Sequence, residues 1–330
     1  MNWTIPELLQ FSGGYWGACA LHAGVKLDLF SALADGARGH EAVAQRCGLD
    51  ARATAMLLDA LAAIGLLEKT ADSYTLTPFA ADYLVRSASG YLGHIIMHHH
   101  HLMESWAKLP DAVRSGAPVR GSVSHGAGEE VRESFLMGMF NLASQLAPQI
   151  AARLDLAGRR RLLDLGGGPG TYAVHFCLKN PELAATVYDL PTSREFAEKI
   201  VARFGLTERV AFHAGDFDAD AVPAGFDVAW LSHILHGEGE EGCRSILSKG
   251  VAALDPGGVL LVQEFILNDA KDGPVFPALF SLNMLVGTAQ GRSYSERELV
   301  EMMTGAGLKD VRRLPAELPN GAGIMIGEKR

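Results

Sequence analysis

Apolar positions change period near residue 160, and the change divides the chain. Over residues 7–35, Leu8, Leu9, Ala18, Ala20, Leu21, Val25, Leu27, Leu29, Phe30 and Leu33 recur at helical spacing, interrupted by Gly13-Gly14, Gly17 and Gly24. With Phe11, Tyr15 and Trp16 added, the stretch is more apolar than a solvent-facing helix should be. It reads as a core helix or as a subunit interface, the latter burying Phe11, Tyr15, Trp16, Leu21 and Leu29 between two copies. HEAVAQRCGLD, ATAMLLDALAAIGLLEKT and DSYTLT then read as helix, turn at Gly48, helix and short hairpin, the order of a winged helix-turn-helix. Residues 79–153 read as helical, broken at Pro110 and at Gly116–Gly128, the latter predicted as a mobile loop. From Arg161 the pattern becomes RRLLDLGGG, ATVYDLP, RVAFHAGDF, FDVAWLSHIL and GVLLVQEFIL, strands separated by helical stretches at 192–205 and 241–254. Such alternation predicts an α/β chain with a parallel sheet and crossover helices.

The predicted organisation is an α-helical, winged-helix-like domain over 1–95 and a larger domain over 96–330. The larger one comprises connecting and pocket helices to about 155 and a Rossmann-like sheet from about 156. A length of 330 residues with 48% hydrophobic and 20% charged positions supports two domains with sizeable cores. The net charge of −9 gives no basic footprint for nucleic acid. Residues 1–95 carry six basic against nine acidic residues, and Arg52 is the only basic residue of Ala51–Leu67, where a DNA-reading helix would need several. The winged-helix shape is therefore predicted to serve packing or dimerisation. Cys19, Cys47, Cys177 and Cys243 form no C-x-x-C pair, which excludes a zinc ribbon or disulfide framework and suits a reducing cytoplasm. No signal peptide is read at the N-terminus, and apolar runs such as Gly258–Val262 fall far short of a membrane span.

Candidate chemistry concentrates at the ends of the predicted strands, where ligands of such sheets bind. Asp164-Leu165-Gly166-Gly167-Gly168-Pro169-Gly170 follows a strand and opens a helix, so backbone N–H groups can approach a ligand closely. Gly168, Gly170 and Ala173 also satisfy the loose dinucleotide spacing G-x-G-x-x-A. Asp189 and Asp216 end the next two strands. Each aspartate alone could be a cap, but three in succession would repel a pyrophosphate. They suit the cationic sulfonium and amino group of S-adenosylmethionine better than NAD, and a carboxylate suits its ribose diol. His94, His98 and His101 fall on one helical face within the run His98-His99-His100-His101, which could bind metal; a polar face bordering a pocket is the plainer reading, and no metal ligand is assigned.

LLDLGGGPG, YDLP, AGDF, LSHILH, LVQEFIL and GRSYSERELVEMMTGAGL, in that order, resemble the S-adenosylmethionine-dependent O-methyltransferases of the caffeate and acetylserotonin (hydroxyindole) type, as a bacterial member. Upstream, GYWGACALHAGVKLDLFSAL and LMESWAKLPDAV resemble that family's dimerisation domain and connecting helices, so the resemblance covers nearly the whole chain. It implies Asp164, Gly166 and Gly168 under the methionine part of the cofactor, Asp189 with Leu190 at the ribose, and Asp216 with Phe217 at the adenine. Ser232 falls where relatives often place Lys or Arg. His236 falls on the catalytic base, and Glu264, 28 residues on, on the glutamate that orients it. Phe135, Met139, Met284 and Asn283 fall on the acceptor pocket, with Met103 and Trp106 closing the cleft. The sequence departs from the family at Gly237-Glu238, where Asp-Trp is usual, and at Ser293, where plant relatives carry a second glutamate. A hydroxyl needs deprotonation before it attacks a methyl already activated by a sulfonium, and histidine suits that task.

The expectation is a homodimeric enzyme that methylates a hydroxyl of a small aromatic metabolite and releases S-adenosylhomocysteine. The alternatives are a relative with nitrogen, carbon or non-methyl chemistry, a cofactor-sensing winged-helix regulator, and an NAD dehydrogenase.

Overall fold

The first helix starts at a capping box: Thr4 Oγ1 accepts from the Glu7 N–H, and the Glu7 carboxylate accepts from the Thr4 N–H at 2.9 Å. The computed structural model describes residues 3–121 and 128–330. It divides into two units, 1–103 with 133–141, and 104–132 with 142–330.

The first unit contains α1 (Ile5–Gly13), α2 (Tyr15–Lys26), α3 (Leu29–Ala32), β1 (Arg38–Gly39), α4 (His40–Cys47), α5 (Ala51–Ala63), β2 (Leu67–Thr70), β3 (Ser73–Leu76) and α6 (Pro78–Tyr83). Gly48 ends α4 in the left-handed region, and Asp50 caps α5 by accepting from the Ala53 N–H at 2.8 Å. The strands pair in the order β1-β3-β2, which completes the expected winged helix. Two local expectations are corrected. Leu67–Thr70 is a strand, because Gly65, at φ 80°, breaks the helix before it. The helical reading of 79–153 is also interrupted between Tyr83 and Gly93.

Burial corrects the interface expectation. Leu29 is fully buried in its own unit with Val25, Phe30, Leu58, Leu61 and Tyr74, and Leu21 packs partly against that cluster. Phe11 and Trp16 are 69% and 70% exposed, and no residue of α1 is buried. The unpartnered surface is therefore α1 and the start of α2, while the face carrying Leu29 turns inward.

α7 (Gly93–Ala107) and α9 (Glu129–Arg153) each contribute residues to both units, and α8 (Leu109–Ser115) belongs to the second. Of the predicted 116–128 loop, residues 122–127 lie outside the described residues. The second unit continues with β4 (Arg161–Leu165), α10 (Thr171–Lys179), β5 (Ala184–Asp189), α11 (Arg194–Arg203), β6 (Val210–Ala214), β7 (Phe226–Ser232), α12 (Glu240–Ala253) and β8 (Leu254–Leu267). It ends with α13 (Val275–Gly287), β9 (Tyr294–Ser295), α14 (Glu296–Gly305), β10 (Leu308–Arg313) and β11 (Ala322–Lys329). The strand order is β10-β11-β8-β7-β4-β5-β6. β4 through β8 run parallel, whereas β10 and β11 are antiparallel additions that the alternation of strand and helix did not reveal. The chain winds from β4 out to β6, then returns across β4 to β7, which opens a crevice at the carboxyl ends of β4 and β7. Trp230, Leu231, Leu163 and Leu165 are fully buried in the sheet.

Leu29→Ala should lower the unfolding free energy by about 2–5 kcal/mol, the range for truncating a fully buried leucine. Urea denaturation checks this; a loss below ~1 kcal/mol would mean that the site is not core.

Candidate active site

The glycine turn after β4 is shaped from below. Gly166, Gly168 and Gly170 all have φ between 51° and 72°, which L side chains avoid. A Cβ on Gly166 would lie 2.4 Å from Ile234 Cδ1, and one on Gly167 would lie 2.6 Å from Asp164 Cγ. Asp164 is 1% exposed, and its carboxyl accepts from the Ala173 N–H at 3.3 Å. The structure thus sets Asp164 beneath the turn, against its backbone. Burial raises its pKa to about 7, the nearby Asp189 charge adds to the rise, and the Ala173 N–H opposes it.

Asp189 ties the strand ends together. It accepts from the Gly168 N–H at 2.8 Å, the Leu190 N–H at 2.8 Å and the Ser193 hydroxyl at 2.7 Å. Asp216 accepts from the Asp218 N–H at 2.9 Å, and the Phe217 ring lies 3.3 Å from where a Gly166 Cβ would be. Ser232 donates to Gln263 Oε1 at 3.3 Å. Gly166, Gly168, Asp189, Leu190, Asp216, Phe217 and Ser232 thus come at or just after the carboxyl ends of neighbouring parallel strands. Strand-end carboxylates beside a turn too tight for side chains fit a cationic, ribose-bearing cofactor such as S-adenosylmethionine.

His236 sits in the single 3₁₀ turn Leu235–Gly237 after β7. Its Nδ1 is 2.8 Å from Glu264 Oε2, and its backbone N–H reaches Oε1 at 3.3 Å. A carboxylate only accepts, so Nδ1 carries a proton, and in the neutral ring Nε2 then keeps its lone pair. The Glu264 side chain is 2% exposed. Burial pushes its pKa up, but the His236 charge and the ring N–H groups of His233 and His236 outweigh this and hold the carboxyl well below the usual range. An aromatic wall surrounds the pair: Phe280 meets the His236 ring edge-on at 4.8 Å, and Phe265 lies 4.8 Å from both Phe280 and Phe276. Among the described residues, nothing lies within 4 Å of where a Gly237 Cβ would be, so the missing family aspartate leaves open space beside them. Ser293 is buried, and its hydroxyl has no hydrogen-bond partner among the described residues.

Of the expected acceptor residues, Trp106 and Asn283 meet directly, the indole N–H donating to Asn283 Oδ1 at 3.1 Å. Met284 is buried in the same unit. Met103, Phe135 and Met139 belong to the first unit, where Met103 Sδ lies 3.2 Å from His22 Nδ1 and Phe135 packs on the His98 ring at 5.3 Å. Among the described residues, the set of three potential ligands close enough to hold a metal is His233, His236 and Glu264, rather than any drawn from the histidine run. The 2.8 Å hydrogen bond within that set already satisfies two of its members.

Sequence reasoning did not single out His233, Gln263, Phe265, Phe276 or Phe280. One signal was available: Gln263-Glu264 is a polar pair within the otherwise apolar strand GVLLVQEFIL.

The raised Asp164 pKa has a defined sign. Stability from its neutral form is fully present below its ordinary value of 3.8 and is lost as pH rises through about 7. Between pH 5 and 8 the protein should lose roughly 2–3 kcal/mol relative to Asp164→Asn. Parallel stability curves for the two proteins in urea would contradict this.

Comparison with known proteins accords with the geometry. Residues 106–309 match the O-methyltransferase domain, and residues 9–86 match the O-methyltransferase dimerisation domain. The chain is 38% identical over 330 residues to 3-hydroxy-5-methyl-1-naphthoate 3-O-methyltransferase of Streptomyces sahachiroi, covering 98% of this chain and 95% of that one. It is 33% identical over 329 residues to the tetracenomycin polyketide synthesis 8-O-methyl transferase TcmO of Streptomyces glaucescens, covering 98% and 96%. The solved structure of PigF with SAH aligns at a TM-score of 0.90 with 28% identity, covering 99% and 100%. The chain belongs to the S-adenosylmethionine-dependent O-methyltransferase family, with that family's dimerisation domain at its N-terminal end.

Proposed function

We propose that the chain methylates a phenolic hydroxyl on a flat, fused-ring aromatic acceptor, with His236 as general base and Glu264 as its orienting partner. The observation that carries this reading is the 2.8 Å His236–Glu264 hydrogen bond set inside a wall of phenylalanines. The pair presents a basic nitrogen, and the wall supplies planar apolar surface on which an aromatic ring can stack. The two named relatives support the class, since their names specify a naphthoate and tetracenomycin polyketide synthesis.

Bound S-adenosylmethionine supplies a methyl group activated by the positive sulfur. Gly166 and Gly168 let the backbone approach it, Asp189 with Leu190 takes the ribose, Asp216 with Phe217 takes the adenine, and Ser232 borders the methionine part. Asp164 acts from below by holding the turn. His236 Nε2 removes the acceptor's hydroxyl proton as the oxygen attacks. The buried Glu264 charge then stabilises the imidazolium and prevents the ring from rotating away. Within the second unit, Trp106, Asn283 and Met284 line the acceptor's approach. The four free cysteines support a cytoplasmic setting. Among the described residues, no helix is long and apolar enough to cross a membrane.

We also propose a homodimer joined through α1 and the start of α2, where Phe11, Tyr15 and Trp16 stand exposed on the dimerisation domain.

Transfer from labelled S-adenosylmethionine to hydroxylated naphthoic acids and larger fused-ring phenols tests the reaction, with product mass locating the methyl group. His236→Ala should lower kcat by about 10²–10⁴ while leaving cofactor affinity within about twofold by calorimetry. Full activity of that variant on a weakly acidic phenol would assign the base elsewhere.

Trp16→Asp should shift sedimentation from dimer to monomer at micromolar concentration. An unchanged dimer would place the interface on another surface.

A further inference from the structure

We infer that His233 is a positioning residue for the proposed base: its ring N–H faces the Glu264 carboxylate and moderates how tightly that carboxylate holds the His236 imidazolium. This rests on reading His236 as the base.

Both histidines address one oxygen. His236 Nδ1 lies 2.8 Å from Glu264 Oε2, and His233 Nδ1 lies 3.7 Å from the same atom. The longer distance exceeds a hydrogen bond, so His233 contributes as a dipole facing a buried charge, where the low local dielectric strengthens it. The proton position follows from the other side of the ring. Gln263 Nε2 is 3.3 Å from His233 Nε2, and Gln263 Oε1 receives the Ser232 hydroxyl at 3.3 Å. An amide nitrogen only donates, so His233 Nε2 accepts and Nδ1 carries the hydrogen toward Glu264. With Nε2 engaged by a fully buried glutamine, His233 is poorly placed to act as the base itself.

The backbone fixes this arrangement. Ser232 and Gln263 are register partners of β7 and β8, and the His233 N–H donates to the Gln263 carbonyl at 2.8 Å. His233 then takes φ 57°, a left-handed conformation that residues other than glycine seldom adopt. The ring lies over Phe265 with centroids 4.2 Å apart.

The electrostatic consequence has a sign. The His233 N–H partly satisfies the Glu264 charge, so Glu264 attracts the His236 imidazolium less strongly. Without that N–H, His236 should hold its proton more tightly, and the acidic limb of the pH profile should move upward. The other groups around the cluster keep their protonation or are common to all variants. Burial raises the Cys243 thiol on α12 to about 11 and the Tyr172 phenol on α10 to about 12, and it drives Tyr294 on β9 further upward still. Asp164 on β4 titrates near 7, and Glu238 and Arg292 flank Cys243. None of these is altered by the substitutions below.

Two variants suit the left-handed backbone and differ in the donor: His233→Gly has none, and His233→Asn keeps an N–H near the Nδ1 position. The experiment follows kcat/KM against pH on a weakly acidic phenol, with cofactor affinity measured by calorimetry. His233→Gly should move the acidic limb up by ~0.5–1 pH unit, which is about a three- to tenfold loss on that limb. His233→Asn should stay within ~0.2 unit of the unmodified protein, and both should bind the cofactor normally. Coincident limbs for the Gly variant and the unmodified protein, or an equal shift in both variants, would overturn the inference. His236→Ala in the same assay separates the failures: if it retains full activity, the base assignment falls first.

Discussion

A carboxylate buried to 2% exposure at the end of a central strand is the constraint around which the candidate site is built. Glu264 could not remain charged there alone, because an unpaired buried charge costs several kcal/mol. It is offset by the His236 ring and backbone N–H groups, and more distantly by His233. The partners are close only because β7 and β8 run parallel in the register Ser232–Gln263, which brings the turn after β7 back over β8. A shift of one residue would turn Glu264 to the other face of the sheet. The antiparallel β11 covers the outer edge of β8, with Gly323 opposite Glu264, so the carboxylate lies on an interior strand.

The second concentration of charge follows different physics. Asp164 has one backbone N–H for company and is driven toward its neutral form, whereas Glu264 has imidazoles and stays ionised. Two buried carboxyls in one sheet thus divide between holding a glycine turn and holding a histidine. The division tracks the donors around each group, since both lie equally deep.

Much of this was legible in the residues. The change of hydrophobic period at residue 160 located the sheet, and LLDLGGGPG located its crevice, because glycines with positive φ are needed where a turn packs on Ile234 and Phe217. Other features depend on tertiary contact. Leu29 and Phe11 are equally apolar in the sequence, yet one is core and the other exposed, since only packing against Leu58 and Leu61 separates them. The last two strands were missed because an antiparallel pair after a helix breaks the alternating pattern. His233 was passed over because its importance arises from a left-handed backbone and from Gln263, thirty positions away.

The proposed role of Glu264 requires one tautomer of His236, with the proton on Nδ1 and Nε2 open as the base. Nitrogen-15 NMR of histidine-labelled protein measures this directly above the pH at which the ring titrates. The account predicts an Nδ1-protonated ring with a strongly deshielded proton that is lost in Glu264→Gln. An Nε2-protonated His236, or a resonance indifferent to Glu264→Gln, would contradict it.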